Sequence, residues 1–154
     1  MLTIVPKLFI DVDGVMLRRT SQGFQVAEHA LTLLTFAVDH FDTFWLTARS
    51  NRGNTEEVER AFRLAYPPTY MHPGHRPLLK DLVAKIPTAE WQDDKSDAFP
   101  LDQPFFWLDD NPTDRALQTL RENDALDNYI HVRTDTDPDD LLRVRDLLAQ
   151  MDKK

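Results

Sequence analysis

Cysteine is absent from these 154 residues, which excludes disulfides, thiolate metal sites and a cysteine nucleophile. A cysteine-free chain fits a reducing compartment, so a cytoplasmic location is the expectation. Long apolar runs are missing too, since none approaches the ~20 residues that span a bilayer. The N-terminal MLTIVPKLFI passes straight into DVD without a small-residue cleavage site, and it reads as a buried strand rather than a signal peptide. No membrane partner is expected. Positive charge is in deficit, with 18 Lys and Arg against 26 Asp and Glu and a formal net charge of −8. Broad, non-specific binding to nucleic acid needs a basic face and is excluded by that balance. Small basic patches remain open, at Arg18 with Arg19 and at Arg49 with Arg52.

What is present is an ordinary globular composition, 42% hydrophobic and 29% charged, on a length that suits one domain over 1–154. Apolar clusters and breakers alternate along it. KLFIDV (7–12) reads as a buried strand ended by Asp-Gly. Helical spacing runs from Val26 to His40, and FDTFWLT (41–47) is strand-like. TEEVERAFRLAY reads as a helix capped by Asn54 or Thr55 and stopped by Pro67-Pro68. A short strand is expected at 69–72, and a helix over LLKDLVAKI that ends at Pro87. Residues 88–104 read as a polar surface loop. PFFWLDD (104–110) and NYIHVRT (128–134) are further strands, each followed by a helix. The alternation predicts a three-layer, doubly wound α/β domain around a mainly parallel five-stranded sheet. Ligands of such sheets bind beyond the carboxyl ends of the strands.

The chemistry-bearing residues fall at those ends. Asp11 and Asp13 are two apart and leave one face of an extended strand, and Asp109 with Asp110 closes another strand. If the two strands are neighbours, four carboxylates meet. Two unit charges ~4 Å apart repel by on the order of 4 kcal/mol at an effective dielectric of ~20. A cation is therefore required, and oxygen-only donors favour Mg²⁺ ahead of Ca²⁺. Thr47 ends FWLT, where its hydroxyl and the neighbouring amides suit an anion. Lys80 is the best placed cation between Thr47 and Asp109, with Lys85 and Arg76 as alternatives.

The ordered set DVDGV, LT, Lys and LDD resembles the four motifs of the haloacid dehalogenase (HAD) superfamily, whose fold is Rossmann-like. The resemblance implies Asp11 as a nucleophile that becomes an aspartyl-phosphate, and Asp13 as general acid and base with its carbonyl also on the metal. It implies Thr47 and Lys80 as holders of the phosphoryl group, and Asp109 and Asp110 as partners of Mg²⁺, with Asp114 an alternative to Asp110. Gly14, Ala48 and Arg49 are the adjoining residues expected to touch substrate. In that superfamily an aspartate at the place of Asp13 marks phosphatases and phosphotransferases, so the resemblance implies action on a phosphorylated small molecule or macromolecular end. Only 33 residues separate Asp13 from Thr47 and 32 separate Thr47 from Lys80, too few for an inserted cap domain. A capless site is open, so segment 15–24, the 88–104 loop or a homo-oligomeric partner is expected to border it.

Taken singly, each motif has a plainer reading. DVDG is also a turn, and Asp109–Pro112 is also a turn with a helix cap. His72 and His75 lack a third ligand and are not expected to hold metal. Trp45 and Trp107 read as core, whereas Trp91 in the polar loop would suggest stacking or a subunit contact if exposed. Two other functions compete. One is a HAD-fold binding or scaffold protein without turnover. The other is a phospho-signalling receiver domain, whose order of acidic pair, phosphoacceptor and lysine fits less well.

Overall fold

A computed structural model describes residues 4–69 and 71–152 of the chain. Four strands, β1 (Lys7–Ile10), β4 (Asp42–Trp45), β5 (Phe105–Asp109) and β6 (Tyr129–His131), form a parallel sheet in the order β4-β1-β5-β6. The strands between β1 and β4, β2 (Leu17–Thr20) and β3 (Gly23–Val26), pair separately as an antiparallel hairpin. The described residues also form five α-helices: α1 (Ala30–His40), α2 (Thr55–Leu64), α3 (Arg76–Lys85), α4 (Asp114–Glu122) and α5 (Asp140–Asp152).

Side-chain alternation along the strands divides the core in two. Leu8, Ile10 and Leu108 join residues of α1, α2, α3 and α5 on one face. Phe9, Phe105 and Trp107 join Ala116 and Leu120 of α4 on the other. The continuous apolar runs of β1 and β5 therefore follow from a sheet covered on both faces. None of the helices is long and apolar enough to cross a membrane, among the described residues.

The expected fifth strand is corrected. Thr69, Met71 and His72 lie outside any strand, and Tyr70 is outside the described residues. Pro67, Pro68 and Pro73 bracket this stretch, and prolines offer no N–H to a ladder. The outer edge of β4 is instead met by residues 87–89, with Trp45 N–H donating to Pro87 O and Ala89 N–H to Trp45 O, both at 2.8 Å. The helix expected from Val26 begins four residues later, because Val26 closes the hairpin and donates its N–H to Tyr66 O. Between Asp13 and Thr47 the described residues form that hairpin, α1 and β4, and no inserted domain.

One buried acid fixes the loop that supports the site. Asp140, fully buried at the start of α5, accepts from Arg143 Nε at 2.6 Å, Arg143 Nη2 at 3.0 Å and Arg133 N at 2.8 Å. These bonds hold the turn after β6, where buried Thr134 Oγ1 lies 2.9 Å from Gly14 O and 2.8 Å from Val15 O. Burial alone would raise the Asp140 carboxyl, but the bonds to Arg143 and the Arg133 amide outweigh it and hold it below its ordinary value. The resulting stabilisation is present above the unfolded carboxyl pKa of 3.8 and is lost as pH falls through the folded value. Asp140→Asn should cost about 1–2 kcal/mol at pH 7, allowing for the exposure of Arg143. Thermal unfolding should show that difference shrinking below pH 4. A gap that persists in acid would assign the loss to packing alone.

Candidate metal centre

Because β1 and β5 are parallel neighbours in the register Ile10↔Leu108, Asp11 and Asp109 emerge side by side at their carboxyl ends. Asp11 N–H still donates to Leu108 O at 3.0 Å, so the ladder continues into the first acid. Asp110 turns back onto the same point. Asp11, Asp109 and Asp110 each place one carboxylate oxygen within 4.8 Å of the others, in a crevice of about 330 Å³. Asp11 is 5% and Asp109 1% exposed.

The donor set fits a hard divalent cation. Oxygen ligands sit about 2.0–2.6 Å from Mg²⁺ or Ca²⁺, so oxygens gathered across a span of this size bracket one ion. Burial and the Asp109 charge push the Asp11 carboxyl well above its ordinary value, against the pull of Lys95. Burial and Asp109 likewise raise Asp110, opposed by Arg19. Both shifts come first from burial and second from the neighbouring Asp109 charge.

The nearest of those cations is Lys95. Its Nζ lies 3.1 Å from Asp11 Oδ1 and 2.8 Å from Asp109 Oδ2. Burial alone would lower the ammonium, but Asp11 and Asp109 more than offset this and hold it above its ordinary value. Lys95 begins a short 3₁₀ turn, Lys95–Ala98, inside the 88–104 segment. The preceding Asp94 is buried and accepts from Ser96 N, Ser96 Oγ and Thr113 Oγ1. Thr113 in turn accepts from Ala116 N as the N-cap of α4. The loop is thereby tied to the helix that follows β5, with lysine facing the acids.

The other wall is the loop from Val12 to Leu17. Met16 and Leu17 both donate N–H to Val12 O at 2.9 Å, and Gly14 N–H donates to Leu17 O at 2.7 Å. Gly14 has φ +81°, and a Cβ there would stand 2.0 Å from Asp110 Oδ2, so only glycine lets Asp110 fold against this turn. Beyond it the hairpin brings Arg19 Nη1 to 3.3 Å from Asp110 Oδ2 and 2.6 Å from Asp135 Oδ2. Arg49 forks Asp13, with Nε at 2.9 Å and Nη2 at 2.8 Å from Oδ1. Both guanidiniums lie over the Phe24 ring, at 6.0 Å and 5.2 Å.

These positions revise several expectations. Lys80 is not the cation of the crevice: it stands on α3 in a separate groove with Arg76, and Lys95 holds the place instead. Lys85 closes α3 and, like Lys80, does not line the crevice. Asp13 lines the crevice, but its carboxylate faces Arg49 and is not among the three that converge. Thr47 is buried and its Oγ1 accepts from Arg49 N at 3.1 Å; the adjoining Ala48 is the residue that borders the crevice. Asp110, not Asp114, completes the acidic triad. Trp91 is half-buried and donates from Nε1 to Thr47 O at 3.1 Å. Trp107, in the crevice wall, keeps a buried Nε1–H without a partner among the described residues.

Lys95 was missed because the 88–104 segment reads as a polar surface loop, whereas the cation was sought on the helix that carries Lys80. A 17-residue stretch without long elements, 88–104, is itself a mark of a functional loop. The DDKSD run within it carries the lysine. No protein-family model matches the chain, and comparisons with curated proteins and with solved structures return no match.

Two outcomes follow from this geometry. Gly14→Ala should destabilise by about 1–2 kcal/mol through its left-handed backbone and should displace Asp110; denaturant unfolding measures the first, and weakened Mg²⁺ binding the second. Asp11 binds its proton more tightly folded than unfolded, so the metal-free protein loses stability as pH rises above the unfolded value of 3.8. In EDTA at pH 7, Asp11→Asn leaves Lys95 to neutralise Asp109 and should raise Tm, by roughly 2–4 °C per kcal/mol of relieved repulsion. The rise in Tm that Mg²⁺ gives the wild type should shrink in the variant. A variant less stable than wild type in EDTA would show that the acids are not in net repulsion.

Proposed function

We propose that the protein is a Mg²⁺-dependent phosphohydrolase of the HAD type, with a Rossmann-like core and an open, capless site. The supporting observation is the convergence of Asp11, Asp109 and Asp110 around one point, with Lys95 beside them. The DVDG and LDD motifs that resemble that superfamily supply those three acids. When bound, Mg²⁺ would sit among the three carboxylates and neutralise charge on the phosphoryl oxygens.

In this reading Asp11 attacks phosphorus, forming an acyl-phosphate bond as the bond to the leaving oxygen breaks. Asp13 gives that oxygen its proton. Asp13 then takes a proton from the water that attacks phosphorus, restoring Asp11 and releasing inorganic phosphate. Lys95 takes the role expected of Lys80: it holds Asp11 in place and offsets charge on the transferring group. Arg49 orients Asp13 before substrate arrives, and of the three residues expected to touch substrate Ala48 is the one that lines the crevice. Among the described residues no inserted domain covers the crevice, so bulky phosphomonoesters or phosphorylated macromolecular ends suit it.

The test is phosphate release from a broad panel of phosphorylated compounds, with Mg²⁺ and with EDTA. Asp11→Asn should abolish turnover, and Asp13→Asn should lower it by roughly 10²–10⁴. Lys95→Met should lose on the order of 10²–10³, whereas Lys80→Met should stay near wild type. Folded wild-type protein that releases no phosphate from any compound would overturn the enzymatic reading in favour of a binding protein of this fold.

A further inference from the structure

A second concavity lies away from the acidic crevice. It has a volume of about 390 Å³ and opens between α2, α3 and the end of β3. Its floor is apolar, made by Val26, Phe62, Leu79 and Val83. Pro67, Pro68 and Pro77 form its walls, and their fixed φ angles keep those walls preformed. The size and the apolar lining match sites that take small molecules, where a few polar groups at the edge fix orientation.

Those polar groups have an unusual sign for this chain. Arg63, Arg76 and Lys80 line the groove against a single acid, Glu59, in a protein of net charge −8. Among the described residues, none of the three cations forms an ion pair. An apolar trough with unspent positive charge along its lip is complementary to an apolar body that ends in an anion. The acidic remainder of the surface repels anions elsewhere and so favours this position.

We propose that this groove is a binding site for a small amphiphilic anion, an alkyl or aryl carboxylate whose apolar body lies on Phe62 and Val83 while its head meets Arg76 and Lys80. The site is separate from the crevice and does not depend on the phosphatase reading. The two share one element: Val26 borders the groove, and Phe24 of the same strand carries Arg19 and Arg49. The strand is bonded to the groove wall through Val26 N–H to Tyr66 O and Tyr66 N–H to Phe24 O.

The experiment is calorimetric titration of the full chain with laurate below its micelle concentration, against dodecyltrimethylammonium of equal chain length. Wild type should bind laurate at one site at least tenfold tighter than the cation, a difference of about 1.4 kcal/mol. Arg76→Glu/Lys80→Glu should lose at least tenfold for laurate while keeping its circular dichroism spectrum, and Arg121→Glu on α4 should lose nothing. Laurate should shift the amide resonances of Val26 and Val83. The proposal fails if laurate does not bind, if both amphiphiles bind alike, or if the double variant binds laurate as wild type does.

Discussion

Repulsion between Asp11 and Asp109 is the constraint that the surrounding structure answers. Parallel pairing of β1 with β5 places these acids at adjacent strand ends with almost no exposure. Water cannot screen charges buried to this degree. What remains is to bring cations inward, and the chain does so from a distance in sequence. Lys95 comes from a loop 14 positions before Asp109, and Arg19 comes from a hairpin on the other side.

Bringing a lysine inward costs hydration and side-chain freedom, so the backbone that presents it has to be held. Asp94 holds it: two bonds from Ser96 brace the turn, and a third from Thr113 Oγ1 joins the loop to the N-cap of α4. The loop after β6 does the equivalent work on the far wall, where Thr134 reaches the Gly14 and Val15 carbonyls and Asp140 fixes the turn from beneath. Helix α4 and the start of α5 are therefore part of the site, although neither contributes one of the three acids. Rigid elements set the acids, and capped loops set their counter-charges.

Legibility from sequence follows the same division. β1 and β5 were readable because a strand buried on both faces must be apolar without interruption, and the acids at their ends break that rule abruptly. The adjacency of the two strands was not in the local pattern and entered only through the resemblance to a known superfamily. Lys95 was not legible, because a 3₁₀ turn of four residues leaves no periodicity and its direction depends on Asp94 and Thr113, 19 residues apart. The hairpin at 17–26 entered only as a segment, 15–24, expected to border the site. Its strands are short and its register depends on pairing with Tyr66 and Asp135, both remote in sequence. The false strand at 69–72 shows the converse error, in which β-forming residues were weighed without the prolines that deny them a ladder.

The crevice's counter-charges are graded by depth, and that grading indicates which of them an incoming ligand can exchange. Lys95 is 17% exposed and shared between two acids; Arg49 is 30% exposed and forked on one; Arg19 is 53% exposed. Arg19 also divides itself unequally, with 2.6 Å to Asp135 and 3.3 Å to Asp110. Exposed pairs of long geometry contribute little, whereas buried shared ones are costly to break. A cation held by Asp11, Asp109 and Asp110 would therefore compete first with Arg19, whose contact with Asp110 is longer than that with Asp135. Lys95 can remain, because its two carboxylates have further oxygens to offer.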